Sequence, residues 1–268
     1  MKMNVMVAHD GESSDDARPL RSGVLEYITV IGIFDSGVGG LTVWQHVSDA
    51  APQADLWYLA DQANVPYGPR PLDEVRSIVT GVTDRLVLMG ASTVVMACHT
   101  ASAAALEEMR SRHPGIDFVG LEPAIKPATE WTTTGRVGVL ATSTTLDGPL
   151  YARVVERYAG DVDIVTRPAP ELVTMVEAGE TDNAVVEDAV VPLIDAGIDA
   201  LVLGCTHFGF LASEIAAVAG PSVHVIDPAP AVAAQVLRVA DLNGSGTRNF
   251  ETTGDEIAFV HQLERLIR

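Results

Sequence analysis

The sequence is poor in cysteine and in lysine, and each shortage narrows the chemistry. Its 268 residues include two cysteines, Cys98 and Cys205, and two lysines, Lys2 and Lys126. So few cysteines cannot build a disulfide framework, which favours reduced thiols and a cytoplasmic protein. A pyridoxal enzyme needs a lysine for its Schiff base. Because Lys126 lies in a proline-rich turn, we expect a mechanism without a cofactor.

Long apolar runs and basic residues are scarce as well. No segment reaches the roughly 18 consecutive apolar residues of a membrane helix, and the first residues turn acidic too early for a signal peptide. The 17 Lys and Arg residues face 36 Asp and Glu, which gives a formal net charge of −19. Nucleic acids and anionic membranes bind basic surfaces, so we expect neither as a partner. The expected partner is a small molecule.

Apolar residues are abundant, at 47% of the chain, and they form short runs between helical patterns. This alternation predicts an α/β fold with mostly parallel sheets. Three landmarks recur in order, 105 to 107 positions apart: G-I-F at 32–34 and G-V-L at 138–140, the two cysteines, and E-P-A at 122–124 and D-P-A at 227–229. We interpret the repeat as an internal duplication that gives two similar domains.

The two cysteines occupy matching places in this repeat. Cys98 follows a strand pattern at 92–97 and Cys205 follows one at 200–204, and a helical pattern comes after each. Ligands of parallel sheets bind beyond the carboxyl ends of the strands. The D-S-G-V-G-G turn at 35–40 and the T-S-T-T loop at 142–145 fall at such ends too. If the two halves face each other, the active site is the cleft between them.

Paired thiols suit acid–base catalysis. A thiol just before a helix lies near the positive end of that helix, so we predict a lowered pKa and an available thiolate. One thiol could remove the proton from a carbon next to a carboxylate, and the other could return a proton on the opposite face. Asp35 and His207 are the ionisable neighbours that would assist. The hydroxyls suited to hold a carboxylate and an ammonium group are those of Ser36, Thr100, Thr142, Thr144 and Thr206.

Other uses of these residues fit the sequence less well. A lone free cysteine is usually a small buried apolar residue, but two at matching points argue for a shared use. The chain has no C-x-x-C, and Cys98, Cys205 and His207 are too few evident ligands for a metal, so we expect none. The D-S-G-V-G-G turn is neither a dinucleotide fingerprint nor a P-loop. A Cys–His hydrolase would leave the second cysteine unexplained.

Several segments carry a family resemblance: I-G-I-F-D-S-G-V-G-G-L-T-V, V-P-Y-G, V-V-M-A-C-H-T-A-S, E-P-A-I-K-P-A, G-V-L-A-T, L-V-L-G-C-T-H and T-T-G-D. Through them the sequence resembles the glutamate racemases of the aspartate/glutamate racemase superfamily over about residues 29–267. The resemblance implies two α/β domains related by pseudo-twofold symmetry, with the substrate buried between them. It also implies interconversion of L- and D-glutamate without cofactor or metal, a supply of D-glutamate for peptidoglycan, and it allows a homodimer.

The resemblance also implies how the chain divides into domains. In this family the last segment returns to the first domain, and helical patterns at about 229–241 and 255–267 close the present chain. We therefore expect a disordered extension at 1–27, a first α/β domain at 28–124 plus 229–268, and a second α/β domain at 125–228.

The resemblance assigns roles to individual residues. Cys98 and Cys205 would be the two acid/base thiols, assisted by Asp35 and His207. The substrate-binding positions would be Asp35, Ser36, Pro66, Tyr67, Gly68, His99, Thr100, Thr142, Thr144, Thr206 and His207.

The sequence departs from the family pattern close to this site. His99 stands where the family usually has asparagine, and Gln62 and Asn64 stand where it usually has Thr or Ser and Arg. Phe208-Gly209 replaces Tyr-Pro, and R-P-A-P-E-L-V lacks the usual cysteine before its proline. Two alternatives therefore stay open. One is a relative acting on aspartate or another small acidic substrate, and the other is a non-catalytic binding or regulatory protein with the same fold.

Overall fold

The computed structural model of the protein describes residues 4–7 and 29–267. They form two parallel β-sheets with helices packed against them. The strands are β1 (Asn4–Val7), β2 (Val30–Asp35), β3 (Asp55–Ala60), β4 (Ala91–Met96), β5 (Asp117–Gly120), β6 (Arg136–Ala141), β7 (Asp163–Pro168), β8 (Ala200–Gly204), β9 (His224–Ile226) and β10 (Arg248–Thr252).

The α-helices follow most strands, as the alternating pattern predicts. They are α1 (Leu41–Ala50), α2 (Leu72–Leu88), α3 (His99–Arg112), α4 (Ile125–Trp131), α5 (Ser143–Leu146), α6 (Pro149–Tyr158), α7 (Pro170–Ala178), α8 (Asn183–Asp195), α9 (Ala212–Ala219), α10 (Ala229–Val239) and α11 (Glu256–Leu266). A short 3-10 helix spans Thr206–Leu211. Within the described residues, no helix combines the length and apolar character needed to cross a bilayer.

The first sheet has the strand order β1-β10-β3-β2-β4-β5, and the second has the order β7-β6-β8-β9. Every strand pairing in both sheets is parallel. The central strands β2 (V-I-G-I-F-D) and β8 (A-L-V-L-G) are buried along their whole length. Continuous apolar runs are typical of parallel strands covered on both faces. The predicted α/β fold with parallel sheets is therefore confirmed.

The register aligns the carboxyl ends of the strands that precede the two cysteines. In the first sheet, Phe34 pairs with Met96, and the chain reaches Cys98 two residues later. In the second sheet, Ala141 pairs with Gly204, directly before Cys205. Both cysteines therefore lie just beyond the carboxyl ends of their strands, at the edge where parallel sheets bind ligands.

Two strands of the first sheet, β1 and β10, come from the N-terminal and C-terminal parts of the chain. Strand β10 pairs with β3, and helix α10 packs on α1. Strand β1 pairs with β10 from Asn4 to Val7, so our prediction of a disordered extension is wrong for these four residues. An edge strand needs only one pairing partner, and its short polar-flanked sequence carries little periodic signal. Residues 1–3 and 8–27 of that prediction lie outside the described residues.

Candidate active site

Both cysteines have the same local geometry. Cys98 precedes α3 with φ −137° and ψ 123°, and Cys205 precedes the 3-10 helix with φ −147° and ψ 136°. Each is the residue at which an extended strand end turns into a helix. Their side chains are nearly buried, at 6% and 8% exposure. The backbone thus presents the two thiols in the same manner, one from each sheet.

A cavity of about 170 Å³ contains both thiols. Eleven of the sequence-predicted site residues line it: Ser36, Pro66, Tyr67, Gly68, Cys98, His99, Thr100, Thr142, Cys205, Thr206 and His207. Residues that we did not predict complete the wall, namely Pro69, Ser143, Thr145, Pro170, Val173 and Thr174. The predicted residues therefore lie together around one cavity, but the wall supplied by α7 was not predicted.

Two predicted binding residues, Asp35 and Thr144, do not line the cavity. Thr144 belongs to the T-S-T-T loop. Its hydroxyl instead donates a hydrogen bond to the carbonyl of Gly68. The neighbouring Ser143 and Thr145 take its place in the wall. Within a short helix adjacent residues point in different directions, and the sequence alone does not show which of three consecutive hydroxyls faces inward. This hydrogen bond connects helix α5 to the loop that contains Tyr67 and Gly68.

The Cys98 thiol is almost fully buried. Its Sγ atom is 4.0 Å from Oγ of Ser36. Burial raises the pKa of the Cys98 thiol, and the negative charge of Asp35 raises it further. Our prediction that the helix end lowers this pKa is therefore wrong, because desolvation outweighs the helix dipole. A raised pKa favours the protonated form of this thiol.

The Cys205 thiol has a different neighbour. Its Sγ atom lies 3.7 Å from Nδ1 of His207, and Nε2 of His207 lies 2.6 Å from Oε1 of Glu177. Burial alone would lower the pKa of His207, but the hydrogen bonds to Cys205 and Glu177 hold it well above its ordinary value. Burial likewise acts to raise the pKa of Glu177, yet its bond to His207 keeps it low. A cationic imidazole next to sulfur stabilises negative charge that develops there.

Asp35 lies beneath the cavity wall and is fully buried. Its Oδ2 accepts a hydrogen bond from the Gly37 amide at 2.9 Å, and its Oδ1 accepts one from the Thr206 hydroxyl at 3.2 Å. Burial raises the pKa of Asp35, although the charge of His207 acts in the other direction. Asp35 does not line the cavity itself, so it reaches the site through Thr206 and through its charge on Cys98.

Hydroxyl groups cover the wall between the two thiols. Those of Thr100, Thr142 and Thr145 lie 2.9 to 3.3 Å from one another. On the other side, the Tyr67 hydroxyl donates to Oδ2 of Asp61 at 2.6 Å, which fixes the ring. These groups form a neutral polar lining that can donate and accept hydrogen bonds to a small zwitterion.

His99 is the most unusual part of the lining. Its side chain is 3% exposed, and neither ring nitrogen has a hydrogen-bond partner among the described residues. Burial lowers the pKa of His99 to about 3, so the ring is neutral at physiological pH. A neutral imidazole has one donor and one acceptor, and both are unsatisfied here. Buried polar groups in folded proteins nearly always have a partner, which can be protein, an ordered water or a ligand.

Comparison with known proteins decides the family. A family profile described as Asp/Glu/hydantoin racemase matches residues 42–236. The chain belongs to the Asp/Glu/hydantoin racemase family. It is accordingly an isomerase, an amino-acid racemase.

Several members of this family are similar over nearly the whole chain. A glutamate racemase of Roseiflexus sp. (strain RS-1) is 44% identical over 248 residues, which cover 88% of this chain and 91% of that protein. The crystal structure of a glutamate racemase isoform from Bacillus anthracis matches with a TM-score of 0.79 and 32% identity, covering 88% of this chain and 93% of that one. Escherichia coli glutamate racemase, in complex with L-glutamate and the activator UDP-MurNAc-ala, matches with a TM-score of 0.79 and 28% identity, covering 89% and 92%.

Glu177 is the main residue of this racemase site that the sequence analysis missed. It lies on α7, 28 positions before Cys205, and no motif that we singled out includes it. One signal for Glu177 was available: a carboxylate inside an otherwise apolar helix pattern, L-V-T-M-V-E-A, is costly unless it is paired.

Within the described residues, no group of three or more His, Cys, Asp and Glu side chains is arranged to hold a metal ion.

Proposed function

We propose that the protein interconverts L- and D-glutamate by two-base proton transfer between Cys98 and Cys205, without a cofactor. The observation that carries the proposal is that two thiols, presented by matching backbone turns, line one small cavity. A cavity with an acid/base group on each of two walls suits a substrate whose α-carbon lies between them. The glutamate racemases that resemble this chain support the choice of substrate.

In the proposed reaction, one cysteine as thiolate removes the α-proton of glutamate and becomes a thiol. The electron pair of the broken C–H bond passes into the α-carboxylate, and the other cysteine, as thiol, donates its proton to the opposite face of the α-carbon. The second cysteine is then the thiolate. Protons and charge balance, and the two thiols have exchanged roles. The reverse reaction starts from that state.

The two ionisable neighbours would assist different thiols. The His207–Glu177 pair would stabilise negative charge on Cys205, since His207 Nδ1 lies 3.7 Å from its sulfur. Asp35 would disfavour negative charge on Cys98. Once the ammonium group of glutamate is bound nearby, the Asp35 carboxylate would favour the action of Cys98 as a base toward the substrate. Negative charge would therefore develop more readily on Cys205 than on Cys98.

Neutral groups would hold the substrate. Hydroxyls and amides at the ends of both sheets can bind carboxylates, and the substrate-binding set would comprise Ser36, Pro66, Tyr67, Gly68, His99, Thr100, Thr142, Thr206 and His207, with Asp35 acting from below. In this proposal Thr144 serves the loop rather than the substrate. The product D-glutamate would supply peptidoglycan synthesis in the cytoplasm.

The proposal includes an organisation of the chain. Residues 28–124 and 229–268 would form one domain and residues 125–228 the other, related by pseudo-twofold symmetry, with the cavity between them. A homodimer would be compatible with this arrangement.

A second candidate is racemisation of aspartate or another small acidic substrate. His99 favours it, because a neutral donor–acceptor ring with two free nitrogens lines the cavity where the resembling family usually has asparagine. The two candidates share the thiols and differ in what completes His99.

One measurement separates the candidates. The protein is incubated in deuterated water with L-glutamate, with D-glutamate and with L-aspartate, while optical rotation and α-deuterium uptake are followed. Racemisation and exchange with both glutamate enantiomers, with aspartate inert, is the expected result. Exchange with aspartate alone would select the second candidate, and inertness toward every acid would leave a binding protein.

A further inference from the structure

Gln62 lies in the loop after β3 and connects three elements by its side chain. Its Oε1 accepts a hydrogen bond from the Thr252 hydroxyl of β10 at 2.9 Å. Its Nε2 donates to Oε1 of Gln262 on α11 at 2.7 Å and to Oε2 of Glu177 on α7 at 3.3 Å. Because an ionised carboxylate can only accept hydrogen bonds, the end of the Gln62 amide that faces Glu177 is the nitrogen.

The two carboxylate oxygens of Glu177 have different partners. Oε1 accepts from the Val38 amide at 2.8 Å and lies 2.6 Å from Nε2 of His207. Among the described residues, the Gln62 amide is the sole hydrogen-bond donor to Oε2. A carboxylate held at one oxygen can rotate about its terminal torsion, which is soft. The Gln62 contact removes that freedom and keeps Oε1 directed at His207.

Helix α11 strengthens the same arrangement. Gln262 accepts from Gln62 through its oxygen, and through its nitrogen it donates to the backbone carbonyl of Glu177 at 2.8 Å. The backbone and the side chain of Glu177 are therefore both tied to the C-terminal segment of the chain. A continuous series of contacts runs from Thr252 through Gln62, Glu177 and His207 to the Cys205 sulfur.

We propose that Gln62 is a positioning residue for Cys205: it holds the Glu177 carboxylate so that the imidazole of His207 stays directed at the sulfur. Gln62 does not line the cavity, so it acts through Glu177 and not on the substrate. The inference rests on the proposed racemisation for its kinetic consequences, while the Gln62–Glu177–His207 link can be tested without it.

The direct test compares Gln62→Met, which keeps the length and removes the amide, with Gln53→Leu, a change at an exposed glutamine. Nitrogen-15 NMR of labelled histidine, with His207 assigned from a His207→Asn sample, gives its titration midpoint. We expect a lower midpoint in Gln62→Met and no change in Gln53→Leu. An unchanged midpoint in Gln62→Met would overturn the link. This readout does not depend on racemase activity, so it stands even if glutamate proves not to be the substrate.

The kinetic test uses α-deuterated L- and D-glutamate. Enantiomers have equal free energy in water, so kcat/KM must fall equally in both directions, and we expect about a tenfold fall for loss of one hydrogen bond to a charged group. The primary isotope effect distinguishes the two thiols. The primary isotope effect should rise more in the direction in which Cys205 removes the proton than in the opposite direction. KM should stay within about twofold of the value of the parent enzyme.

Gln62→Glu provides a second variant in case the first loses structure. It keeps an oxygen to accept from Thr252, but it places a carboxylate where Glu177 needs a donor. Repulsion between the two carboxylates should make its loss of kcat/KM larger than that of Gln62→Met. Equal isotope effects in the two directions for both variants would overturn the positioning role, since general loosening of the fold affects both thiols alike.

Discussion

The sulfur of Cys205 lies 3.7 Å from Nδ1 of His207, whereas the sulfur of Cys98 lies 4.0 Å from the hydroxyl of Ser36. Two thiols with equivalent backbone settings therefore have unequal electrostatic settings. In the proposed two-base reaction, negative charge would develop more readily on Cys205, beside the imidazole, than on Cys98, near the buried Asp35 carboxylate.

The first prediction concerns the thiols themselves. Cys98→Ser and Cys205→Ser should each lower the racemisation rate by a factor of about 10² to 10⁴ or more. A serine hydroxyl is a far weaker acid than a thiol, so it donates a proton poorly and does not ionise to act as a base. Polarimetry with L-glutamate and with D-glutamate measures the loss. Ser102→Ala, which removes a buried hydroxyl on α3 outside the cavity lining, serves as the control. Normal turnover in either serine variant would refute the paired-thiol mechanism.

The second prediction concerns Glu177. Glu177→Gln removes the charge that holds His207 protonated, so the pKa of His207 should fall toward its burial-lowered value. A His whose pKa is raised in the folded state contributes stability below its unfolded pKa and loses it as pH rises through the folded pKa. Because the pKa of His207 falls, the decline of kcat at high pH should move to lower pH. Near pH 6 the free energy of unfolding of the variant should be lower than that of the parent.

The matched control is Glu180→Gln, a charge change on an exposed residue just beyond the same helix. pH–rate profiles and urea unfolding at several pH values compare the two. If both variants keep the parent profile, Glu177 does not set the charge of His207.

The sequence predicted the central strands, the cysteine turns and most of the cavity, because these depend on local patterns. β2 and β8 are apolar throughout, and each cysteine follows such a run directly. Strand β10 (R-N-F-E-T) was not predicted, since it is rich in polar residues whose burial depends on distant partners. The Arg248 guanidinium, for example, donates to the carbonyl of Ala54 at 2.5 Å.

The site residues that escaped prediction act across large sequence distances. Glu177 accepts from Val38, 139 positions earlier, and Gln62 bonds to Gln262, 200 positions later. Such contacts are fixed by packing of the two sheets and carry no local periodicity. The thiol pKa prediction for Cys98 was wrong for a related reason. The helix end is visible in sequence, but the degree of burial that outweighs it is not.

The third prediction concerns His99, which should trade stability for binding. His99→Leu removes two buried nitrogens without partners, so the free protein should gain about 1 kcal/mol in unfolding free energy. The same change should raise KM for the substrate about tenfold or more, because the ligand then loses its partner. Urea unfolding and initial-rate kinetics measure the two effects.

His99 also gives the stability a defined pH dependence. Its folded pKa of about 3 lies below the ordinary value of about 6.5. The unfolded chain therefore binds the proton first, and the parent should lose stability as pH falls below about 6.5. The gain of His99→Leu over the parent should widen between pH 7.5 and pH 5. A constant difference would mean that the pKa of His99 is the same in the folded and the unfolded chain, against the expected lowering by burial. His99→Asn, which restores the residue usual in the resembling family, shows whether the ring also selects the acid.

The last prediction concerns Gly37, whose lack of a side chain makes room for Glu177. A Cβ atom at Gly37 would lie 1.8 Å from Oε1 of Glu177. Because Val38 binds the same oxygen, the carboxylate has little space to retreat, and Gly37→Ala should push it away from His207. We expect kcat to fall at least about tenfold, with the pKa of His207 lowered as in Glu177→Gln.

Gly81→Ala is the matched control, since a Cβ there meets no atom within 4 Å. Gly81 lies inside α2, so that change should stabilise the protein by about 0.5–1 kcal/mol and leave the kinetics unchanged. Parent-like activity in Gly37→Ala would show that the Glu177–His207 contact is not needed for turnover, and that Cys205 is supported by another group.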